Sequence, residues 1–249
     1  TGVALSTGEE IAARAVVSGA DPKTTFLRLV DPVDLAPDFL TKIRNYRSHG
    51  TLAKMNLALS GLPLFTGSPG PEALSGRVHI GPELDYLERA FDHAKYGELS
   101  SEPWHDVNIP SLLDPQLAPA GAHVMSIYVH VAPHTLRAAT WETSPDDLRR
   151  AVLRTLGRFA PAVERQIVAE QIVTPADLQR EYGMFGGHIF HGELALDQLF
   201  TMRPVLGQAQ YRAPVQGLYL CGGGTHPGGF LRGGSGKNAA REVTKDLKS

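Results

Sequence analysis

A glycine-rich segment near the C-terminus constrains the fold more than any other part of this sequence. Eight of the fifteen residues from Gly222 to Gly236 are glycine, which is more than a simple turn needs. The apolar run Leu218 to Cys221 precedes it, and a helix is predicted from about Lys237 to Leu247, with Ser235 as its N-cap. Glycines permit close backbone approach and positive φ angles. The order strand, loop, helix therefore predicts N–H groups that face a phosphate or an electron-rich ring edge.

The segment does not match either short nucleotide-binding fingerprint. A G-x-G-x-x-P pattern begins at Gly222 and follows a strand, but proline holds its last position and the helix starts about ten residues late. A G-x-G-x-x-A pattern begins at Gly234 and opens a helix, but no strand precedes it. A flexible loop that leads into a terminal helix therefore stays open as the alternative interpretation.

Composition sets the broad class of the chain. With 249 residues, 42% hydrophobic and 20% charged, the sequence is typical of one large globular domain or two small ones. The net charge of −2 argues against nucleic-acid binding. Cys221 is the single cysteine, which excludes an internal disulfide and fits a reducing compartment. The sequence starts at Thr1 with no signal-like segment, so a processed or trimmed product is expected.

Periodicity and turn signals predict a mixed β-sheet with helices packed on it. On the strand at 124–131, alternate residues form an apolar face, and the polar face with Tyr128 and His130 either lines a cavity or meets solvent. The long loop 61–81 is either a channel wall or a surface excursion. The helix at 83–95 carries an apolar stripe of Leu84, Leu87, Phe91 and Ala94, predicted to face the core. Further strands are predicted at 3–5, 11–17, 52–59, 107–109 and 167–173, and further helices at 21–30, 37–47, 145–159 and from 174 onwards.

Three segments resemble one family of flavoproteins. The run from Leu218 to Gly229 resembles the C-terminal FAD motif of the phytoene desaturase and retinol saturase-like flavoproteins. Within that superfamily, the segment Ile189 to Leu199 with Arg203-Pro204, and the opening from Gly8 to Pro22, are similar to the branch of pyridine nucleotide-disulphide oxidoreductase domain-containing protein 2. The resemblance runs from end to end of the chain but covers only the C-terminal half of such an enzyme.

The resemblance implies an α/β fold that combines an α+β substrate domain with part of a Rossmann-like FAD domain. It implies an FAD-domain segment at 1–30, a substrate-binding domain at 31–204, and the C-terminal strand, glycine loop and helix of the FAD domain at 205–249. The N-terminal dinucleotide-binding unit of such an enzyme, with its own glycine fingerprint, is missing from these residues.

The function implied by the resemblance is FAD-dependent oxidation of a hydrophobic small molecule through hydride transfer to the flavin. The isolated chain is expected to be inactive. The alternative is a non-catalytic binding or regulatory module, or a fragment that cannot hold FAD alone; polyene isomerase or saturase chemistry is a third reading. The departures at Lys237-Asn238 and Phe230-Leu231-Arg232 count against a carotenoid substrate. The implied cofactor-binding residues are Gly222, Gly223, Gly224, Thr225, Gly233, Gly234, Ser235, Gly236 and Asn238.

Two histidines are the candidates for catalysis. His188-x-x-His191-x-Glu193 has the residue types of a metal site, but the flanking glycines indicate a loop without a convergent face, so no metal is predicted. The resemblance places His191 beside the flavin, where it either carries a proton, orients substrate or serves as a hydrogen-bonded structural residue. His226 within the glycine loop is the second candidate, and a turn-stabilising role is its alternative.

Other residues receive structural interpretations. Arg203 is predicted to pair with Asp197 or Glu193, and Cys221 to be a small buried hydrophobe. The expected partners are a small hydrophobic substrate and either the missing N-terminal half or a second chain. Peripheral membrane contact and homo-oligomer formation are compatible with the sequence. Nucleic acid is not an expected partner. The expected location is the cytoplasm of a bacterium or the mitochondrial matrix of a eukaryote.

Overall fold

The structure is a computed structural model that describes residues 2–229 and 233–248; the departure noted at 230–232 lies outside the described residues. Strands among them are β1 (Gly2–Ala4), β2 (Glu10–Ala12), β3 (Val16–Ser18), β4 (Leu52–Leu59), β5 (Val78–Ile80), β6 (His105–Asn108), β7 (His123–His130), β8 (Ile167–Val173) and β9 (Leu218–Leu220). The α-helices are α1 (Pro22–Thr24), α2 (Pro37–Asn45), α3 (Leu84–Lys95), α4 (Pro145–Phe159), α5 (Val163–Gln166), α6 (Pro175–Tyr182) and α7 (Gly234–Lys248). No helix of the described ranges is long and apolar enough to cross a membrane.

The chain divides into two compact units, one formed by residues 1–49 with 182–249 and one by residues 50–181. The boundaries expected at residues 30 and 204 both fall inside the first unit, so 31–49 and 182–204 group with the terminal segments. The assignment of the two units to flavin binding and substrate binding stays a prediction.

The first unit is held together by pairing between its two distant chain segments. Strand β3 pairs in parallel with β9, with Val16 opposite Leu218, while β1 and β2 form a separate antiparallel pair. The strand predicted at 11–17 is therefore two strands, because its first half pairs locally and its second half pairs with the C-terminal segment. The apolar core of this unit lies around Phe26, Leu35, Phe39, Leu40, Ile43, Val205 and Leu220.

The helix predicted at Asp21-Pro22 is confirmed. The Asp21 carboxylate accepts a hydrogen bond of 2.9 Å from the backbone N–H of Thr24, and Pro22 occupies the first helical position, where its missing N–H costs nothing. The helix continues as a π-helical stretch, Thr25–Leu29, which buries Phe26. This cap fixes the direction in which the chain leaves β3.

The second unit is built on a five-stranded sheet with the order β5-β6-β7-β4-β8. All four pairings in this sheet are antiparallel. Among the described strands, parallel pairing occurs only between β3 and β9 of the first unit. The strand predicted at Leu52–Leu59 is confirmed, because its alternating apolar residues pack on one face with those of β7. That face and helix α4 enclose the main core, which includes Met55, Leu57, Leu59, Val107, Met125, Ile127, Val129, Leu148, Val152 and Leu156.

Helix α3 forms where expected but buries only part of the predicted stripe. Leu84 is 77% exposed and Phe91 is 43% exposed, whereas Tyr86, Ala90 and Ala94 face the interior. These three residues follow the i, i+4, i+8 spacing, and the Tyr86 hydroxyl donates a hydrogen bond of 3.1 Å to the Pro103 carbonyl. The predicted stripe is therefore confirmed at Ala94 and wrong at Leu84 and Phe91, since the anchored phenol of Tyr86 and the small Ala90 pack inward in their place.

The polar face of the sheet carries its own network. The Asp106 carboxylate on β6 contacts His79 on β5 at 2.9 Å and His130 on β7 at 3.1 Å, and the His130 ring stacks on Trp104 with centroids 3.6 Å apart. Burial alone would raise the pKa of Asp106, but the hydrogen bonds with the two histidines outweigh it and hold that pKa below its usual value. The network ties three neighbouring strands together.

Candidate functional site

The glycine loop begins as a tight turn at the end of β9. The Cys221 N–H donates to the Ser18 carbonyl at 2.8 Å and extends the parallel pairing by one residue. Gly222 then adopts φ +82°, and its carbonyl accepts hydrogen bonds from the Thr225 N–H at 3.2 Å and from the Thr225 hydroxyl at 3.0 Å. Thr225 thus closes the turn with its own side chain. The burial of Cys221 is partial and raises the pKa of its thiol.

The glycines of this turn are required by the protein's own backbone. A Cβ on Gly223 would lie 2.9 Å from the Phe190 carbonyl oxygen, and one on Gly224 would lie 2.5 Å from the ring of Pro22. Such contacts are closer than carbon atoms tolerate, so no other residue fits without a backbone shift. The turn is therefore packed between the start of α1 and the segment that contains His191.

Helix α7 begins at Gly234, three residues earlier than predicted. Ser235 lies within its first turn and is not its N-cap; the Ser235 hydroxyl donates to the His226 carbonyl at 3.1 Å. Gly233 has φ +69°, and a Cβ on Gly233 or on Gly236 would meet no atom of the described residues within 4 Å. Small residues therefore flank the first N–H groups of this long helix, and a Cβ on Gly234 would lie 3.5 Å from the ring of Pro227.

His226 lies at the junction of the loop and α7. Its carbonyl accepts a second hydrogen bond, of 2.8 Å, from the Tyr211 hydroxyl, and the Asn238 side-chain amide donates to that same hydroxyl oxygen at 2.7 Å. Asn238 thus supports the loop through Tyr211. The Nδ1 atom of His226 is buried without a hydrogen-bond partner among the described residues.

His191 occupies a strained turn next to the glycine loop. Its φ angle is +57°, an uncommon value for a residue with a side chain, and its carbonyl accepts a hydrogen bond of 2.9 Å from the Tyr46 hydroxyl. Burial raises the pKa of Tyr46 to about 12, so its hydroxyl stays protonated. Burial also lowers the pKa of His191, and its Nδ1 atom has no partner among the described residues. A neutral imidazole with a free nitrogen results.

The residues of the His188-x-x-His191-x-Glu193 pattern do not converge. His188 Nδ1 accepts a hydrogen bond of 3.2 Å from the Phe190 N–H, and burial lowers the pKa of His188 to about 4. The described part of the chain contains no group of three His, Cys, Asp or Glu side chains that could hold a metal ion.

Glu193 and Asp197 pair with Arg47, which corrects the predicted pairing with Arg203. Arg47 Nε lies 3.0 Å from the Glu193 carboxylate, and its Nη2 lies 2.5 Å from that of Asp197. The Arg47 backbone N–H also donates to the Gln198 side chain at 2.6 Å. These carboxylates lie near the surface, so the more accessible arginine can reach them without losing its hydration.

Arg203 is fully buried and donates only to backbone carbonyls. Its Nε and Nη2 atoms reach the Gly223 carbonyl at 2.9 and 2.7 Å. Burial lowers the pKa of Arg203, and its charge is spread over hydrogen bonds instead of an ion pair. Its other acceptors are the carbonyls of Phe190 and Glu193, at 2.8 and 2.9 Å, and those of Gly192 and Gln198, at 3.2 and 3.3 Å.

The structure thus brings most of the sequence-predicted site residues into one unit. The turn of Gly222, Gly223, Gly224 and Thr225 lies against the His191 segment, and His226 lies against the start of α7. Sequence reasoning missed the organising roles of Arg203, Tyr46 and Tyr211. Their acceptors are backbone carbonyls, which carry no residue-type signal.

Several features of this site fit a ligand rich in hydrogen-bond acceptors. The N–H groups of Gly223 and Gly224 have no acceptor among the described residues, and neither do the first N–H groups of α7. The Nδ1 atoms of His191 and His226 are two further polar groups without a hydrogen-bond partner among the described residues. Buried polar groups are normally paired, so these positions fit a phosphate or an electron-rich ring.

The comparisons with known proteins define the class. The model of the "Flavin containing amine oxidoreductase" family matches residues 1–244, so the chain belongs to this family, whose cofactor is FAD. The fold is similar to that of cyclohexylamine oxidase from Brevibacterium oxydans, with a TM-score of 0.55 and 13% identity over 98% of this chain and 46% of that one.

Individual relatives extend over the whole chain. It is 40% identical to pyridine nucleotide-disulfide oxidoreductase domain-containing protein 2 of Rattus norvegicus, over 100% of this chain and 44% of that protein. It is 28% identical to the phytoene desaturase (neurosporene-forming) of Rhodobacter capsulatus, over 98% of this chain and 45% of that protein. The chain therefore spans a little under half the length of these relatives, and the predicted flavoprotein resemblance is confirmed.

Proposed function

We propose that this chain supplies part of the FAD site of an oxidoreductase that oxidises a hydrophobic small molecule. When bound, FAD would accept a hydride from a substrate C–H bond. The chain's own residues would bind and orient the cofactor and would hold or move a proton beside it. The relatives named for phytoene desaturation and cyclohexylamine oxidation support a small organic substrate.

The observation that carries this proposal is the set of unpaired donors at the glycine loop. The Gly223 and Gly224 N–H groups and the first turn of α7 present donors without acceptors among the described residues, and a Cβ on Gly233 or Gly236 would meet none of the described atoms within 4 Å. A helix N-terminus also carries the positive end of the helix dipole. We assign the predicted cofactor-binding residues of 222–224 and 233–236 to this role. Thr225 would act by closing the turn through its hydrogen bonds to the Gly222 carbonyl, and Asn238 through Tyr211.

His191 and His226 would provide proton-accepting nitrogens at the same site. Burial lowers the pKa of His191, so at neutral pH its ring is uncharged and its free Nδ1 can accept a proton. His226 offers a second buried Nδ1 atom within the loop itself. A hydrogen-bonded structural role is the alternative for both, and replacement by glutamine separates the two because glutamine keeps hydrogen bonding but cannot carry a proton.

A binding or regulatory module is the second candidate function. It is favoured by one observation: residues 1–249 contain no strand, glycine fingerprint and helix unit with a following acidic residue, which would hold the adenosine part of FAD. On this reading the chain alone is inactive and needs a further segment or a second chain. A cytoplasmic or mitochondrial location fits either function.

The flavin content of two matched glycine variants tests the proposal. In the flavoprotein that carries this sequence, Gly233→Val adds a side chain at φ +69° beside the start of α7. Bound flavin absorbs at about 450 nm, and we expect the variant to lose this absorbance. Gly207→Val is the control, because Gly207 also has positive φ and open surroundings but lies outside the loop. Equal flavin content in the two variants would contradict the assignment.

A further inference from the structure

The guanidinium of Arg203 connects two turns of the candidate site. It binds the Gly223 carbonyl of the glycine turn through two N–H groups, at 2.7 and 2.9 Å, and the Phe190 carbonyl of the His191 turn at 2.8 Å. The three further carbonyls that it binds all belong to the segment 192–198. The position of the glycine turn relative to His191 therefore depends on one side chain.

The charge of Arg203 is not neutralised by a carboxylate. No carboxylate of the described residues lies within the 4.0 Å of an ion pair, and the side chain is fully buried. The guanidinium lies over the ring of Tyr46, with 5.9 Å between the guanidinium carbon and the ring centroid. A buried cation bound only to carbonyls places its positive potential on the peptides that it contacts, because little solvent screens it.

The peptide between Gly223 and Gly224 accepts more hydrogen bonds from Arg203 than any other peptide. Its carbonyl oxygen accepts two charge-assisted hydrogen bonds, whereas its N–H, on Gly224, has no acceptor among the described residues. Hydrogen bonds along one peptide strengthen each other, so a carbonyl held by a cation makes the N–H of the same peptide a stronger donor. The nearby Cβ position of Gly224 is closed by Pro22, which fixes the orientation of this peptide.

We propose that Arg203 is the positioning residue of the cofactor site, which holds the Gly223–Gly224 peptide so that the Gly224 N–H donates to an acceptor atom of FAD. The proposal rests on the proposed function, since it requires FAD at the glycine loop. The acceptor is either a diphosphate oxygen or an electron-rich atom of the flavin ring. Arg203 itself touches neither substrate nor cofactor in this scheme; it acts through the Gly223 carbonyl.

Three variants separate positioning by charge from a general structural role. Arg203→Met removes the charge and the donors, and Arg203→Lys keeps the charge with fewer donors. Arg47→Met is the control, because Arg47 also binds the 193–198 segment but does so through the Glu193 and Asp197 carboxylates and does not contact Gly223. Amide hydrogen exchange of residues 190–193 and 222–229 is measured first, in the protein after flavin removal. We expect exchange to rise about tenfold or more in Arg203→Met, in both segments together, and to stay unchanged in Arg47→Met.

Ligand binding is measured next in the flavin-loaded protein that carries this sequence. Sulfite adds to oxidised flavin, forming one N–S bond and leaving a negative charge on the ring, so its dissociation constant reports donors near the ring. We expect Arg203→Met to weaken the binding of sulfite or of FAD by about tenfold, and Arg203→Lys to restore most of the loss. Weaker sulfite binding identifies the ring as the acceptor, and weaker FAD binding with unchanged sulfite binding identifies the diphosphate.

Two outcomes would overturn the proposal. One is unchanged sulfite and FAD binding in Arg203→Met. The other is an equal loss in Arg203→Lys and Arg203→Met together with faster exchange in both, which would make Arg203 a structural residue only. A failure of the proposed function is recognised separately, because Gly233→Val would then retain its flavin while the exchange result in flavin-free protein still stands.

Discussion

The Tyr211 hydroxyl donates a hydrogen bond of 2.8 Å to the His226 carbonyl, and this contact links the glycine loop to the chain before β9. We expect Tyr211→Phe to lower the free energy of unfolding by about 1 kcal/mol, the usual net contribution of one neutral hydrogen bond. Urea denaturation followed by circular dichroism measures it. Asn238→Ala should cost less when Tyr211 is already phenylalanine, because the Asn238 amide donates to that hydroxyl. Additive losses would show that the two side chains do not act together.

Because His105 is buried, we expect the second unit to lose stability at acidic pH. It is fully buried on β6, and burial, followed by the proximity of His130, lowers its pKa to about 4. The unfolded chain takes up this proton near pH 6.5 and the folded chain only near pH 4, so stability is constant above pH 6.5 and falls as the pH drops to 4. The contribution of this group amounts to about 3 kcal/mol.

The measurement compares wild type with His105→Leu by urea denaturation at several pH values between 4.5 and 7.5. Other titrating groups cancel in the comparison, so the variant should show a shallower loss of stability on acidification. Parallel pH profiles for the two proteins would mean that His105 titrates normally in the folded state.

Gly192 is expected to be the most sensitive glycine of the His191 turn. It has φ +131°, and a Cβ there would lie 2.0 to 2.4 Å from the phenol ring of Tyr46. We expect Gly192→Ala to lower the free energy of unfolding by about 2–4 kcal/mol, from overpacking and backbone strain together. Gly207→Ala is the matched control with strain alone, at φ +92° and with no neighbour within 4 Å. A similar cost for both would show that the Tyr46 ring moves aside easily.

Residues 1–249 alone are expected to bind FAD weakly. One helix N-terminus contributes about 0.3–1 kcal/mol at an exposed site, whereas nanomolar binding needs roughly 12 kcal/mol. The few donors of the glycine loop do not close that gap without the contacts to the adenosine part. Titration of FAD into the isolated chain, followed by flavin fluorescence, measures the affinity. Saturable submicromolar binding of FAD by the monomer would contradict this expectation.

Local sequence patterns correctly predicted those helices and strands whose signal lies within a few neighbouring residues. The alternation of Met55, Leu57 and Leu59 identified β4, and Asp21-Pro22 identified the start of α1, because both signals are complete within a few residues. Helix α3 was found, but its buried face was predicted correctly only at Ala94, since Leu84 and Phe91 are more apolar than Ala90 and nothing local states where the core lies. Packing overrides hydrophobicity in such cases.

The candidate site was only partly visible in the sequence for a related reason. The glycines at 222–224 indicated a close approach, but the approaching atoms are the Phe190 carbonyl and the Pro22 ring, not only those of a ligand. Arg203 was expected to find a carboxylate, because charge complementarity is the one signal that a sequence offers for an arginine. Its five carbonyl acceptors arise from the folded path of the backbone and have no residue type of their own.

The pairing of Val16 with Leu218 also determines the order in which the two units can be completed during synthesis on the ribosome. Residues 50–181 are contiguous, so every strand of their sheet is available as soon as β8 has emerged. Strand β3, in contrast, is made before these strands, and its partner β9 follows only after the whole of residues 50–181 has been made. The long-range pairing therefore delays completion of the glycine site until β9 has been made, and during that interval β3 lacks this partner and can be reached by chaperones or neighbouring chains.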